Sequence, residues 1–83
     1  MANMEKNYIV AGIGGQGSIK VSHMIAEAAI RARGGTRLYA ETSNRPQYAS
    51  TRAFYERTGF QLASLLDDFY APGDGRATYL KVL

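Results

Sequence analysis

Strands and helices alternating in the order β-α-β-α-β-β make this chain an α/β (α+β) protein. Three stretches carry that expectation. Tyr8-Ile9-Val10-Ala11, a β-forming run, passes through a glycine-rich loop into an apolar pattern of helical spacing. Thr36 to Thr42 is a second strand that leads into a second helix closed by Gly59. The last third holds two β-rich stretches around Ala71-Pro72-Gly73-Asp74-Gly75, where Pro-Gly and Asp-Gly both mark turns. Strands one and two are expected to be parallel, joined by a right-handed crossover. The last two strands are expected to form an antiparallel hairpin beside strand two. The result would be a three-layer-like, Rossmann-like sheet with strand one at its edge.

Each element has local support. In the first helix Val21, Met24, Ile25, Ala28, Ala29 and Ala32 recur at helical spacing. Ser18 or Gly17 opens it, Gly34-Gly35 closes it, and Arg31 and Arg33 favour the dipole at its end. In the second strand Leu38 and Ala40 share one face, and Arg37, Tyr39 and Glu41 the other. Asn44-Arg45-Pro46-Gln47 reads as a capping box, with Asn44 as N-cap and Pro46 in the first turn. Thr51, Phe54, Tyr55 and Thr58 then line one helix face, and beyond Gly59 the ring of Phe60 is placed to pack back on Tyr55. Gln61 to Tyr70 and Arg76 to Leu83 are the hairpin strands.

Composition narrows the functions. Eighty-three residues allow one compact domain, and 46% hydrophobic with 20% charged residues describe a globular chain. The absence of cysteine excludes disulfides, thiolate metal sites and a cysteine nucleophile, and the single histidine, His23, excludes a histidine-rich metal site. No metal is expected. Ten basic residues against seven acidic ones are dispersed along the chain, so no nucleic-acid partner is expected. No apolar run reaches membrane-spanning length, and Met1 to Asn7, with Glu5 and Lys6, lacks the pattern of a signal peptide. A cytoplasmic location and no membrane partner are the expectation. So short a chain buries a small core and packs well or borrows stability from a partner. A homo-oligomer is therefore expected, held through the edge of strand one or an uncovered sheet face.

The glycine loop holds the most specific chemistry. Gly12, Gly14 and Gly17 form G-x-G-x-x-G between a strand and a helix. The first glycine permits the tight turn, the second lets backbone approach a phosphate, and the third lets helix and strand pack closely. Together with Gly15, Gln16 and Ser18 these residues offer backbone N–H groups at a helix start, an anion site for a phosphate-bearing ligand. Glu41, about 24 residues beyond Gly17, stands where a ribose-binding acid belongs in a dinucleotide fold, so NAD or another nucleotide is one candidate. The plainer reading is that the glycines only shape the turn.

Two resemblances add to this. Lys6 to Gly17, K-N-Y-I-V-A-G-I-G-G-Q-G, resembles the start of the gamma-type subunit of 2-oxoacid:ferredoxin oxidoreductases, over residues ~5–34. Residues ~36–83 resemble the C-terminal half of a GNAT-family N-acetyltransferase, through L-Y-A-E-T-S (Leu38 to Ser43), T-R-A-F-Y-E-R-T-G-F (Thr51 to Phe60) and D-D-F-Y-A-P-G-D-G (Asp67 to Gly75). The second resemblance implies that acetyl-CoA or CoA is the cofactor, that Tyr55 protonates the departing CoA thiolate, and that Asn44 contacts CoA. The Gln or Arg that such enzymes carry three residues before the first glycine is replaced here by Ile9 or Gly12.

The expectation is thus one domain, 1–83, made of a Rossmann-like β-loop-α unit (5–34) and a GNAT-like β-α-β-β unit (36–83). It would be a recombined or designed chimera that at most binds CoA or another nucleotide. The alternative is an acetyltransferase whose acceptor site is completed by oligomerisation. Single residues keep two readings. Tyr55 is either a proton donor or a helix aromatic packed under Phe60. His23 lacks an orienting carboxylate and reads as a surface or half-buried residue. Lys20 could reach a phosphate but suits a solvated helix face equally. Asp67 and Asp68, adjacent on a strand, should point to opposite faces, and Tyr39, Tyr48, Tyr70 and Tyr79 read as packing.

Overall fold

The computed structural model describes the backbone of residues 8–11 and 16–83 and the side chains from Met24 onward. The elements are β1 (Tyr8–Ala11), α1 (Gln16–Ala32), β2 (Arg37–Ser43), a 3-10 turn (Pro46–Tyr48), α2 (Ala49–Arg57), β3 (Gln61–Ala71) and β4 (Asp74–Val82). The sheet order is β1-β2-β4-β3. β4 lies between β2 and β3 and pairs antiparallel with both, while β1 lies alongside β2 with Ala11 opposite Glu41. This chiefly antiparallel sheet is α+β, and it does not have the all-parallel interior of a Rossmann-like fold.

One face of the sheet carries the core. Leu38 and Ala40 of β2, Ala77 and Tyr79 of β4, Ile30 of α1, Phe54 and Tyr55 of α2, and Phe60 form one buried cluster. Cross-strand register explains it, since Ala40 faces Tyr79 and Thr42 faces Ala77 on the same side. Both helices feed this cluster, so the described residues form two layers and not three.

Both helices end on glycine, for a reason that can be read bond by bond. Gly34 has φ +78°, the Gly35 N–H donates to Ile30 O at 2.8 Å and the Gly34 N–H to Arg31 O at 3.1 Å. Gly59 has φ +97° and the Phe60 N–H donates to Tyr55 O at 3.0 Å. Both satisfy helix-end carbonyls with a residue in the left-handed region, as Schellman ends do.

Three expectations change. Among the described side chains of α1 the buried side is carried by Ile30 with Ala26 beside it, while Met24 and Ile25 are each 65% exposed. Two overlapping apolar stripes compete in this alanine-rich helix, and the Ala26–Ile30 pair faces the sheet. Asn44 does not cap α2. The Arg45 N–H donates to Ser43 Oγ at 3.0 Å, Arg52 Nη1 donates to the carbonyls of Ser43 and Arg45 at 2.9 Å each, and Pro46 opens a 3-10 turn before α2. Arg52 thus ties the carbonyls at the β2 exit to α2, and neither the 3-10 turn nor α2 has a side-chain cap. The hairpin turn shortens to Pro72-Gly73, with Gly73 at φ +78° and Ala71 opposite Asp74, the proline-then-glycine arrangement of a type II turn.

β3 departs most from a regular strand. Its register against β4 shifts between Leu62 and Ser64 and again between Leu66 and Ala71. In the second bulge Asp68 takes φ +57° and its Oδ1 accepts the Gly73 N–H at 2.7 Å. Asp67 and Asp68 therefore do not alternate as regular strand residues. Leu62, Leu65, Leu66, Phe69 and Tyr70 on β3 are exposed. Among the described residues no helix is long and apolar enough to cross a membrane.

Candidate functional site

The strands set out where a ligand would meet the sheet. β1 ends at Ala11, opposite Glu41 and two residues short of the end of β2 at Ser43. Ligands of open sheets bind outside the carboxyl ends of such strands. Gly12, Gly14 and Gly15 lie outside the described residues. Gln16, Gly17 and Ser18 form the first turn of the seventeen-residue helix α1, so the helix starts at Gln16, before the expected opening residue. The side chains of Lys20 and His23 are likewise outside the described set.

Tyr55 sits inside the core. It is fully buried, with ring centroids 5.8 Å from Phe54, 5.3 Å from Phe60 and 5.3 Å from Tyr79. Burial, with a smaller contribution from Tyr79, pushes its phenol up to about 12. The group is protonated throughout the physiological range. Tyr79, itself 2% exposed, has its phenol raised by burial and then by Glu56, whose Oε2 accepts the Tyr79 hydroxyl at 3.3 Å.

Asn44 is exposed at the exit of β2, its N–H donating to Gly75 O at 2.8 Å. Next to it opens a cleft of about 420 Å³ lined by Glu41, Thr42, Ser43, Arg45, Tyr48, Tyr70 and Asp74. Its polar groups are tied together. Ser43 Oγ donates to Asp74 Oδ1 at 2.5 Å, Arg45 Nε lies 3.5 Å from Asp74 Oδ2, and Arg45 extends over the Tyr48 ring at 5.8 Å. Arg76 Nη1 is 3.8 Å from Glu41 Oε2, and its guanidinium stacks 4.3 Å over the Phe69 ring. The Tyr70 phenol is raised by burial first, then by Glu41 and Asp74, with Arg76 opposing.

The sequence did not reveal this cleft as a unit, because its members come from two segments more than twenty residues apart. The available signal was register. Once β2 and β4 pair with Ser43 opposite Arg76, Glu41 and Arg76 are diagonal neighbours on one face. Glu41, read as a ribose-binding acid, is paired to Arg76 in this structure. Among the described residues no group of three or more His, Cys, Asp and Glu is placed to hold a metal.

No family profile and no curated protein matches the chain. Solved structures do. The chain is similar to a protein of Desulfovibrio desulfuricans assigned to the GNAT family of acetyltransferases, with 35% identity and a TM-score of 0.77 over 99% of this chain and 56% of that one. It is similar in fold to nourseothricin acetyltransferase, at 23% identity and TM-score 0.76 over 93% of this chain and 50% of that one. The same holds for an IAA acetyltransferase of Bacillus cereus, at 18% identity and TM-score 0.76 over 96% of this chain and 64% of that one. The chain spans about half the length of the first of these. The likeness runs on both sides of Gly34-Gly35, so nothing in it divides the chain into an oxidoreductase unit and an acetyltransferase unit. The chain has a GNAT-like α+β fold.

Proposed function

We propose that this chain is the acyl-donor part of a GNAT-type N-acetyltransferase. The observation that carries the reading is the 35% identity to a GNAT-assigned protein along 99% of the chain. The arrangement fits CoA: the seventeen-residue helix α1 follows β1, whose end lies beside β2, and a helix start offers N–H donors to a pyrophosphate. Gly12, Gly14, Gly15, Gln16, Gly17 and Ser18 would hold the phosphates, with Asn44 beside the pantetheine arm. Acetyl-CoA supplies an activated thioester; an amine forms a C–N bond to its acyl carbon as the C–S bond breaks.

Tyr55 would serve the leaving sulfur once the thioester is seated against the core, since its ring is fully buried and does not line the cleft. A phenol near 12 keeps its proton, and a thiol ionises near 8.5, so full transfer to the thiolate runs uphill. The phenol therefore acts by donating a hydrogen bond that stabilises the thiolate, and the proton arrives from the acceptor amine. A second copy of the chain completing the acceptor side is part of the proposal. Supporting it are the apolar side chains left open to solvent on α1 and β3, Met24, Ile25, Leu62 and Leu65.

Calorimetry with acetyl-CoA, CoA, NAD and ATP tests the cofactor. Heat with acetyl-CoA and CoA and none with NAD is the expected result. Heat with NAD alone, or with none of them, overturns it. Thiol release from acetyl-CoA with a panel of amines should rise more than proportionally with chain concentration; strict proportionality removes the second copy.

A further inference from the structure

The 420 Å³ cleft carries chemistry that a phosphate-binding loop does not need. Its volume is in the range that encloses a small molecule. Glu41 at its wall meets one cation, Arg76, through Oε2 at 3.8 Å; among the described residues its Oε1 meets no donor. A carboxylate has about four acceptor sites, so Glu41 retains capacity for a further donor. Arg45 lines the same cleft. Its Nε faces Asp74 and, among the described residues, its two terminal nitrogens meet no hydrogen-bond acceptor. An open guanidinium edge is suited to a bidentate carboxylate. Tyr48 and Tyr70 add aromatic surface to the same lining, with Arg45 over the Tyr48 ring. Asp74 is already engaged by Ser43 and Arg45, and its role is to fix the arginine.

We infer that this cleft binds a small zwitterion, an α-amino acid with an apolar side chain, its ammonium on Glu41 and its carboxylate on Arg45. Glu41 is directly opposite Ala11, the last strand residue before the glycine loop, so the ammonium end lies nearest the proposed acyl-donor site. That the amino acid is the acetyl acceptor rests on the acetyl-transfer reading above, in which the ammonium first gives one proton to solvent and the free amine attacks; that it binds does not.

The experiment is titration of the whole chain with L-phenylalanine and L-leucine, without acetyl-CoA, followed by amide chemical shifts. Each is compared with its amide and its N-acetyl form, which remove the carboxylate and the ammonium in turn. Shifts clustered at residues 41–48 and 70–76, with both blocked forms about tenfold weaker or worse, are expected. Glu41→Gln and Arg45→Gln should each weaken the free amino acid by a similar factor, while Arg45→Lys should weaken it less. The proposal is overturned if neither amino acid binds at millimolar concentration, if either blocked form binds as well as its parent, or if the shifts lie elsewhere. Because acetyl-CoA is absent, this result and the calorimetry can fail independently.

Discussion

At the scale of single residues, the two positions that matter most differ in what they do for the fold. Tyr55 packs against three aromatic rings, and truncation to alanine would empty the centre of the core at about 3–5 kcal/mol. Tyr55→Phe keeps the ring and removes only the hydroxyl, so stability should change by about 1 kcal/mol. If the phenol stabilises the leaving thiolate, turnover should fall about 100-fold or more with the KM for acetyl-CoA unchanged. A melting curve beside steady-state kinetics separates the two roles, and unchanged turnover leaves Tyr55 as a core residue alone. Gly75 is constrained in a different way. A Cβ there would stand 2.9 Å from Leu66 O and 3.4 Å from Asp67 Cα, backbone atoms that cannot rotate away. Gly75→Ala should cost about 1–3 kcal/mol by urea unfolding. The sequence marked this glycine as part of a turn, but its real constraint is the close approach of the β3 bulge.

At the scale of elements, what was legible depended on the range of the interaction. Helix ends are local: a glycine in the left-handed region and the next N–H donating to the carbonyl five residues back define them, and Gly34 and Gly59 stand where the pattern places them. The buried side of α1 is not local. Met24 and Ile25 fit the apolar stripe as well as Ile30 does, and only docking on the sheet decides between them. The β3 bulge was invisible because Asp68 at φ +57° is stabilised by the Gly73 N–H across the turn. Aspartate tolerates that conformation; Asp68→Val should lose about 1–3 kcal/mol, and Asp68→Asn, which keeps both the conformation and an acceptor oxygen, should lose far less.

α1 is also pinned to the sheet by charge. Lys81 Nζ lies 3.0 Å from Glu27 Oε1, and Arg31 lies 3.1 Å from Oε2. The Lys81 hydrogen bond holds the Glu27 carboxyl below its ordinary 4.5, against burial, with Arg31 assisting. A depressed folded-state value means that the contribution is complete above the unfolded value and is lost as pH falls through the folded one. The melting temperature should therefore drop as pH is lowered below 4.5. Lys81→Met should flatten that part of the curve. The pair is partly solvated, so the effect is below about 1 kcal/mol and shrinks in high salt.

At the scale of the whole molecule, the small core sets the most informative measurement. Eight buried hydrophobic residues among those described hold both helices to the sheet, so any ligand that binds the folded state has a large lever on stability. A ligand at a hundred times its dissociation constant adds about 2.7 kcal/mol to folding. For a chain of this size each kcal/mol moves the melting temperature by about 4–8 °C. Saturating acetyl-CoA should therefore raise the melting temperature by about 10–20 °C. NAD at the same concentration should leave it unchanged. A chain stabilised by NAD and not by CoA would return the glycine loop to a dinucleotide reading. A chain stabilised by neither would leave Gly12 to Gly17 as a turn that serves only the fold. Adding L-phenylalanine on top of acetyl-CoA should give a further rise if cleft and loop are filled together, because each ligand that binds only the folded state adds its own contribution to folding.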